Sequence, residues 1–368
     1  MPQPPSDRPV RKVLHTLRKA VVWLLTVLYA PVWLLTLAGF AAPWVPVHWL
    51  PELQLIPPVA LAFLPFHLGS LLVHRRTIRR RLWAAGGLLL CLIMLAPDLS
   101  WHSPERQPAG QADPQLLRIL SFNVGTFSYK GEKVDEAAAM ISAQQPDVVC
   151  LQEFRNQQLP NGQAALDYLG RQLGMPYYAF VHLPIHIHGA AIFSRYPILD
   201  LDTLYMPKRE INSGILITVE TPAGPVGVGN LHLSSFHIAR HLRELPEWKD
   251  RIFRLHSFGV EVLRRQQEKV EQVMSYTRSY PYPLILTGDF NAVPHSRITR
   301  QFSAEFRDSF REAGRGLGWS FPVLQVLGIR IDYQWMNQQV TAVQHRIVRS
   351  RVSDHYPILG VYQLRSAP

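Results

Sequence analysis

Three long runs without a charged side chain fall within the first hundred residues of this 368-residue chain, at 20–42, 53–73 and 82–97. A bilayer core of about 30 Å is crossed by about 20 apolar residues in a helix. The first two runs, 23 and 21 residues, reach that length despite Pro31, Pro57, Pro58 and Pro65. Neighbouring helices can satisfy the backbone groups that a proline frees. The third run, 16 residues, reads either as a crossing or as a re-entrant segment. The expectation is a three-helix transmembrane anchor over residues 1–100, with spans at about 20–42, 53–73 and 82–98.

Charge placement orients the spans. Arg8, Arg11, Lys12, Arg18 and Lys19 precede the first, and Arg75, Arg76, Arg79, Arg80 and Arg81 follow the second. The loop between them, 43–52, has no Lys or Arg and carries Trp44 and Trp49, residues suited to a membrane–water boundary. The positive-inside rule puts both basic segments in the cytoplasm and, after three crossings, everything beyond residue 100 outside. The expected location is the cell (inner) membrane, multi-pass, with the lipid bilayer as a partner. A cleaved signal peptide fits less well: the first run is too long for an h-region, no clear A-x-A site follows, and two more apolar runs come after it. The chain's net charge of +11 invites a nucleic-acid reading, but the first hundred residues hold ten Lys and Arg against three Asp and Glu. Most of the basic excess is therefore a topology signal.

Residues 101–115 are polar and proline-rich, an expected linker. Beyond it, β-rich runs at 118–124, 147–153, 190–193, 214–220, 225–233, 284–290, 331–336 and 357–363 alternate with helix candidates at 132–145, 163–173 and 259–278. That alternation argues for a layered α/β domain. The two cysteines, Cys91 and Cys150, fall in apolar runs and exclude a disulfide scaffold or a zinc ribbon.

Polar residues gather where the strands stop: Asn123, Glu153, His232, Asp289 with Asn291, and Asp354 with His355. Singly each has a plain reading, since an Asn at a strand end caps turns and a His among leucines is usually a core residue. Strand ends, however, meet along one sheet edge. The set, in this order, resembles the endonuclease/exonuclease/phosphatase superfamily, the DNase I-like phosphoesterases, over residues 116–365. Leu-Gln-Glu at 151–153, Leu-Thr-Gly-Asp-Phe-Asn at 286–291 and Ser-Asp-His-Tyr-Pro at 353–357 carry most of the resemblance. Ala-Ile-Phe-Ser-Arg-Tyr-Pro-Ile at 191–198, Asn-Leu-His-Leu at 230–233 and Arg-Ile-Asp-Tyr at 330–333 support it.

The resemblance implies a DNase I-like α/β sandwich of two sheets with flanking helices and a hydrolase dependent on Mg²⁺ (or Mn²⁺). It implies that Glu153 is the principal metal ligand, with Asn123 beside it and Asp354 contributing. Asp289 would orient or deprotonate the attacking water, Asn291 and His232 would donate to the phosphate, and Asp332 would hold His355 against it. The chemistry fits these residue types, because a dication offsets the negative charge of a phosphodiester and Mg²⁺ prefers oxygen ligands. Gly125 departs from the DNA-repair members, some of which carry a carboxylate there, and argues against abasic-site repair.

His182, His186 and His188 precede one strand, and His237, Arg240, His241 and Arg243 follow another. Both groups are expected at a pocket rim, where they would bind an anion. The substrate class is open at this point: a phosphorylated, lipid-linked compound at the membrane surface, or extracellular nucleic acid cut by a tethered nuclease. The anchor with this domain also resembles the membrane-bound glycopeptide-resistance proteins of the J type, which would imply undecaprenyl pyrophosphate as substrate. A non-catalytic scaffold is a third reading, opposed by the complete residue set.

Overall fold

The computed structural model describes residues 8–46, 54, 57–74, 77–102, 115–125, 133–159, 161–182, 188–206, 212–236, 248–324 and 327–364. Four helices come first: α1 (Arg8–Val27), α2 (Tyr29–Ala41), α3 (Ala60–Val73) and α4 (Ile78–Leu95). Their bounds do not follow the apolar runs. The run at 20–42 is split between α1 and α2, which meet at 47°. Pro31 explains the bend: it lacks an N–H, and its ring crowds the carbonyl of Val27, where α1 ends. The run at 53–73 gives only the 14 helical residues of α3, because Pro57 and Pro58 hold a 3-10 turn before it.

The shortest run gives the one helix among the described residues that is long and apolar enough alone to cross a membrane, Ile78–Asp98; there are two such spans if the bent pair counts as one. The arginines at 79–81 begin this helix rather than a loop. Three separate full spans are therefore not what the helix lengths give. The helices pack closely where side chains are small. A Cβ on Gly87 would lie 2.3 Å from the His67 ring, and that ring shares a 3.0 Å hydrogen bond with Thr36 Oγ1. Trp23, Leu34, Leu82 and Leu89 point outward and are exposed.

The chain then turns into strands. β1 (Leu99–Trp101) pairs with β11 (Arg315–Leu317), so the expected linker is tied to the next domain at its start. Residues 103–114 of that linker lie outside the described residues. After β2 (Leu116–Asn123) come α5 (Val134–Ser142), β3 (Val148–Arg155), α6 (Ala165–Gln172), β4 (Tyr177–His182) and β5 (His188–Ser194). β6 (Ile198–Tyr205), β7 (Gly214–Thr221), β8 (Gly224–His232), α7 (Trp248–Thr277) and β9 (Leu284–Asp289) follow. Next are α8 (Arg297–Glu305), β10 (Arg307–Asp308), α9 (Ser309–Ala313) and β11. β12 (Phe321–Leu324), β13 (Leu327–Ile329), β14 (Asp332–Met336), β15 (Val340–Ile347) and β16 (Ile358–Leu364) complete the chain.

Two six-stranded sheets form, in the orders β15-β16-β2-β3-β5-β4 and β10-β14-β9-β8-β7-β6. Ile119, Cys150, Ile192, Ile217, Val228 and Ile285 pack between them. Each fully buried aliphatic side chain of this kind contributes about 1.5–3 kcal/mol. Leu120 and Leu151 turn the other way, onto Ala137, Ile141 and Leu169 of α5 and α6. Leu231 and Leu286 pack against Val270, Val273 and Phe302 of α7 and α8 on the far side. The result is the expected α/β sandwich with flanking helices. Cys91 and Cys150 are both buried and free.

The two sheets repeat one motif. β2 and β3 are parallel and joined through α5, and β8 and β9 are parallel and joined through α7. Parallel neighbours end together, so the polar residues at four strand ends share one edge. Within β15, opposite Gly360 of β16, buried His345 shares a 2.9 Å hydrogen bond with Ser309 Oγ. Burial, and then the Arg330 charge, push its pKa down to about 3. The unfolded chain therefore takes up a proton that the fold refuses, and this contribution to stability is lost as pH falls below about 6.5. We expect the native protein to lose more stability than His345→Gln between about pH 6 and 4, as read by paired thermal melts in detergent.

Candidate active site

Each site residue owes its place to the end of a strand. Asn123 closes β2 and is aligned with Gln152 of β3. His232, Asp289 and Asp332 stand side by side on β8, β9 and β14. Glu153 needs a local irregularity. It sits where the β3–β5 register slips, with φ 53°, and this bulge turns its side chain away from simple alternation. Gly288 permits the close approach of β9 to β8, since a Cβ there would lie 1.9 Å from Leu231 O. Gly125, φ 50°, donates its N–H to Asn123 Oδ1 at 3.1 Å.

The side chains converge. Asn123 Nδ2 donates to Glu153 Oε1 at 3.1 Å and to Asp289 Oδ2 at 3.0 Å. His232 Nε2 lies 3.7 Å from the same Glu153 oxygen and 3.6 Å from the same Asp289 oxygen. His355 Nδ1 donates to Asp332 Oδ2 at 3.1 Å, which leaves Nε2 toward Asp289 Oδ2 at 3.7 Å, too far for a direct hydrogen bond. Burial pushes the Asp289 carboxyl up to about 7, against the pull of His355. Burial works against the His355 imidazolium too, but Asp332 and Asp289 outweigh it and raise its pKa to about 10. A buried carboxylate near neutrality next to a standing cation is an acid–base arrangement.

Asn291, φ 46°, gives its backbone N–H to Asp289 Oδ1 at 2.9 Å and one side-chain N–H to Leu233 O at 3.0 Å. Its second side-chain N–H remains for a ligand. Asp354 is exposed at the rim and accepts from Ser353 Oγ at 3.0 Å. It lies on the Gly125 side, since a Cβ there would sit 3.6 Å from Asp354 Oδ1. The structure thus brings together Asn123, Glu153, His232, Asp289, Asp332 and His355, with Asn291 adjoining and Asp354 at the edge. His182 ends β4 and stacks on Phe180, and His188 begins β5. His186, His237, Arg240, His241 and Arg243 lie outside the described residues.

Several supporting residues were not assigned roles by sequence reading. Buried Gln152 donates to Asn230 Oδ1 at 2.7 Å, and Asn230 donates to Leu151 O and Ala191 O at 2.9 and 3.0 Å. This lattice ties the two sheets together directly behind Glu153. Tyr205 OH accepts the His232 backbone N–H at 3.0 Å. Ser320 Oγ accepts the N–H groups of Ile331 and Asp332 at 3.2 and 3.1 Å and fixes the start of β14. Gln152 and Asn230 stand inside the recognised motifs, so their position was a signal; Ser320 and Tyr205 carry none.

A model of the endonuclease/exonuclease/phosphatase family matches residues 120–355, a span that contains every one of these site residues. The chain belongs to that family. Its solved neighbours include the endonuclease/exonuclease/phosphatase from Beutenbergia cavernae DSM 12333, 23% identical, TM-score 0.51, covering 69% of this chain and 72% of that one. Another is the family protein from Bacteroides vulgatus, 16% identical, TM-score 0.50, covering 68% and 99%. A third is humanized D. rerio TDP2, 15% identical, TM-score 0.50, covering 67% and 99%. At these identities the neighbours show the fold alone. No curated protein sequence gives a match.

The family is one of phosphate-ester hydrolases, generally dependent on a divalent metal, and the donor set here can be tested against such an ion. Asp289, Asp332 and His355 are the one group of three among the described residues whose ligand atoms lie within 4.8 Å of one another. His355 is protonated there and donates to Asp332, and a protonated imidazole does not ligate. The Glu153 side fits better: Glu153 Oε1 and Asp289 Oδ2 converge on the Asn123 amide, a focus of negative charge in an oxygen-rich corner. Glu153 would hold a dication there; Asn123 would join it only with its amide turned over, since its nitrogen faces the corner and its oxygen accepts the Gly125 N–H. When bound, the ion would polarise a phosphoryl oxygen. The chain's own residues do the remainder. Asp289 is placed to take a proton from an attacking water, and His355, His232 and Asn291 would hold phosphate oxygens by hydrogen bonds that strengthen as charge develops.

Proposed function

We propose that the protein is a membrane-anchored, Mg²⁺-dependent phosphoesterase that hydrolyses a lipid-linked phosphate or pyrophosphate at the outer face of the cytoplasmic membrane. One observation carries this reading: the catalytic loop 291–296 is bonded directly to the apolar helices. His295 Nε2 shares a 2.9 Å hydrogen bond with Phe40 O and its ring stacks on Phe40 at 5.6 Å. The helix that follows is tied down as well, with Arg297 N donating to Gln54 Oε1 at 2.9 Å. Anchor and catalytic loop therefore move as one unit, and the site would work at a fixed height above the lipid surface. The hairpin of β12 and β13 adds to this, since Phe321 packs edge-on against His355 at 4.9 Å while Val323 and Leu327 next to it are exposed.

The test uses full-length protein in detergent with Mg²⁺, with phosphate release from undecaprenyl pyrophosphate and nicking of plasmid DNA followed in parallel. Phosphate release with plasmid intact supports the reading. Nicking without phosphate release makes the protein a tethered nuclease and leaves the anchor as localisation only. A phosphatase reporter fused after residue 102 that stays inactive while a cytoplasmic reporter is active would reverse the orientation. The metal assignment makes a further prediction. Glu153→Gln should raise the Mg²⁺ concentration for half-maximal activity by at least about 10-fold, as read by a metal titration. A change in maximal rate alone would move Glu153 out of the ion's reach.

A further inference from the structure

The junction between the helices and the catalytic domain holds a cleft that the hydrolytic site does not use. It encloses about 580 Å³ between Pro43 and Trp44 after α2, Pro97 after α4, and residues of α8, β10, α9 and β14. Four arginines line it, Arg300, Arg307, Arg311 and Arg330, against two carboxylates, Asp308 and Glu312. The carboxylates are already taken. Arg307 Nη1 donates to both Glu312 oxygens at 2.9 and 3.0 Å, and Arg330 Nη1 donates to Asp308 at 2.7 Å. Arg330 also holds the anchor, with Nη2 donating to Pro97 O at 3.0 Å. Two cations are left over. Arg300 lies over the Trp44 ring at 5.0 Å and reaches Pro43 O at 3.4 Å. Arg311 is exposed and has no side-chain partner among the described residues.

The position of this excess charge names its counterpart. The cleft opens where both apolar helices end, in the 3-10 turns Ala42–Trp44 and Ala96–Asp98. Below it, Leu34, Leu35 and Leu37 of α2 and Leu89, Leu92 and Ile93 of α4 face outward. A half-exposed Trp44 at the mouth is the residue type that marks a bilayer boundary. Uncompensated arginines at that level sit within reach of lipid phosphates, which guanidinium groups bind through paired N–H donors. We propose that this cleft binds the head group of an anionic membrane phospholipid, with its acyl chains along the outward faces of α2 and α4. The inference rests on the membrane-anchor part of the proposed function and is independent of the substrate.

The site adjoins the chemistry without sharing Asn123, Glu153, His232, Asp289, Asn291, Asp332 or His355. His295 lines the cleft, and the loop 291–296 leads from it to Asn291. A lipid seated here would brace the loop from the membrane side. The experiment titrates full-length protein in maltoside micelles with dihexanoyl phosphatidylglycerol, dihexanoyl phosphatidylcholine and inorganic phosphate, with melting temperature as the readout. Phosphatidylglycerol is expected to bind at least about tenfold more tightly than either competitor, and Arg300→Gln with Arg311→Gln to abolish that preference, since paired charge-assisted contacts are lost. Asp289→Asn should keep it. If the double variant does not fold, Arg311→Gln alone carries the test, with a smaller loss in the same direction. Equal phosphatidylglycerol affinity in native protein and arginine variants would overturn the proposal. Tight binding of inorganic phosphate, or loss of lipid binding in Asp289→Asn, would do so too. Extraction of the protein without detergent would instead sink the anchor reading.

Discussion

Replacing Asp289 with Asn is expected to lower kcat for phosphoester hydrolysis by about 10²–10⁴-fold, the contribution typical of a general base, without loss of the folded state. Asp289 is 1% exposed and stands at the centre of the donors Asn123, His232 and His355. Its Oδ1 accepts the Asn291 N–H, and an asparagine oxygen can do the same. The amide cannot take a proton from water and carries no charge, so the chemistry is lost while the shape is kept. Burial works against the Asp289 carboxylate, but its Oδ2 also accepts from Asn123 and faces the His355 cation, which an amide nitrogen cannot do. The melting temperature should therefore fall while a folded baseline is kept. Steady-state kinetics on a soluble phosphodiester, beside a thermal melt, separates the cases. A native rate in Asp289→Asn would remove this carboxylate from the reaction, and a lost folded baseline would make its role structural.

The two-sheet domain was more legible in the sequence than the N-terminal helices, for a physical reason. A buried strand declares itself by a short apolar run, and a residue such as Asp289 or Asn123 placed where that run stops can only lie at a sheet edge. The parallel β2–β3 and β8–β9 pairs then bring those ends together whatever the loops do. Glu153 was legible as a residue but its conformation was not, because the left-handed backbone that aims it follows from a register slip and from no residue preference. Ser320 was invisible, since its task is set by the start of β14 arriving beside it. In the first hundred residues the count of uncharged positions misjudged helix length in both directions. Pro31, Pro57 and Pro58 are apolar and break helices, whereas Arg79, Arg80 and Arg81 are charged and extend one. Hydropathy weighs side chains, while helix length depends on backbone N–H groups as well. The junction was legible only residue by residue, for nothing in the local sequence around Arg330 announces that Pro97, more than two hundred positions earlier, supplies its acceptor.

Asp332→Asn should convert a rate that is flat on the His355 side through about pH 9 into one that falls as pH rises through neutrality. His355 is buried, and burial alone would drive its pKa below 6.5. Asp332, hydrogen-bonded to Nδ1, and then Asp289 overcome that and raise it to about 10. A pKa raised in the folded state contributes stability that is full below the unfolded value of about 6.5 and is lost as pH rises through about 10. Without the Asp332 charge, burial regains ground, and the imidazolium that faces the phosphate is given up within the physiological range. The amide that replaces the carboxylate still offers an oxygen to Nδ1, so the ring keeps its place while its charge becomes sensitive to pH. The expected loss in kcat relative to the native protein is about 10²-fold at pH 8, and the ratio should narrow at pH 6, where the ring is protonated again while the Asp289 base is titrated alike in both proteins. That narrowing is what a merely structural role for Asp332 would not produce. The measurement is a kcat profile between about pH 5.5 and 9.5 for native and variant protein at saturating Mg²⁺. Profiles of the same shape, displaced only in height, would show that His355 does not act as a cation.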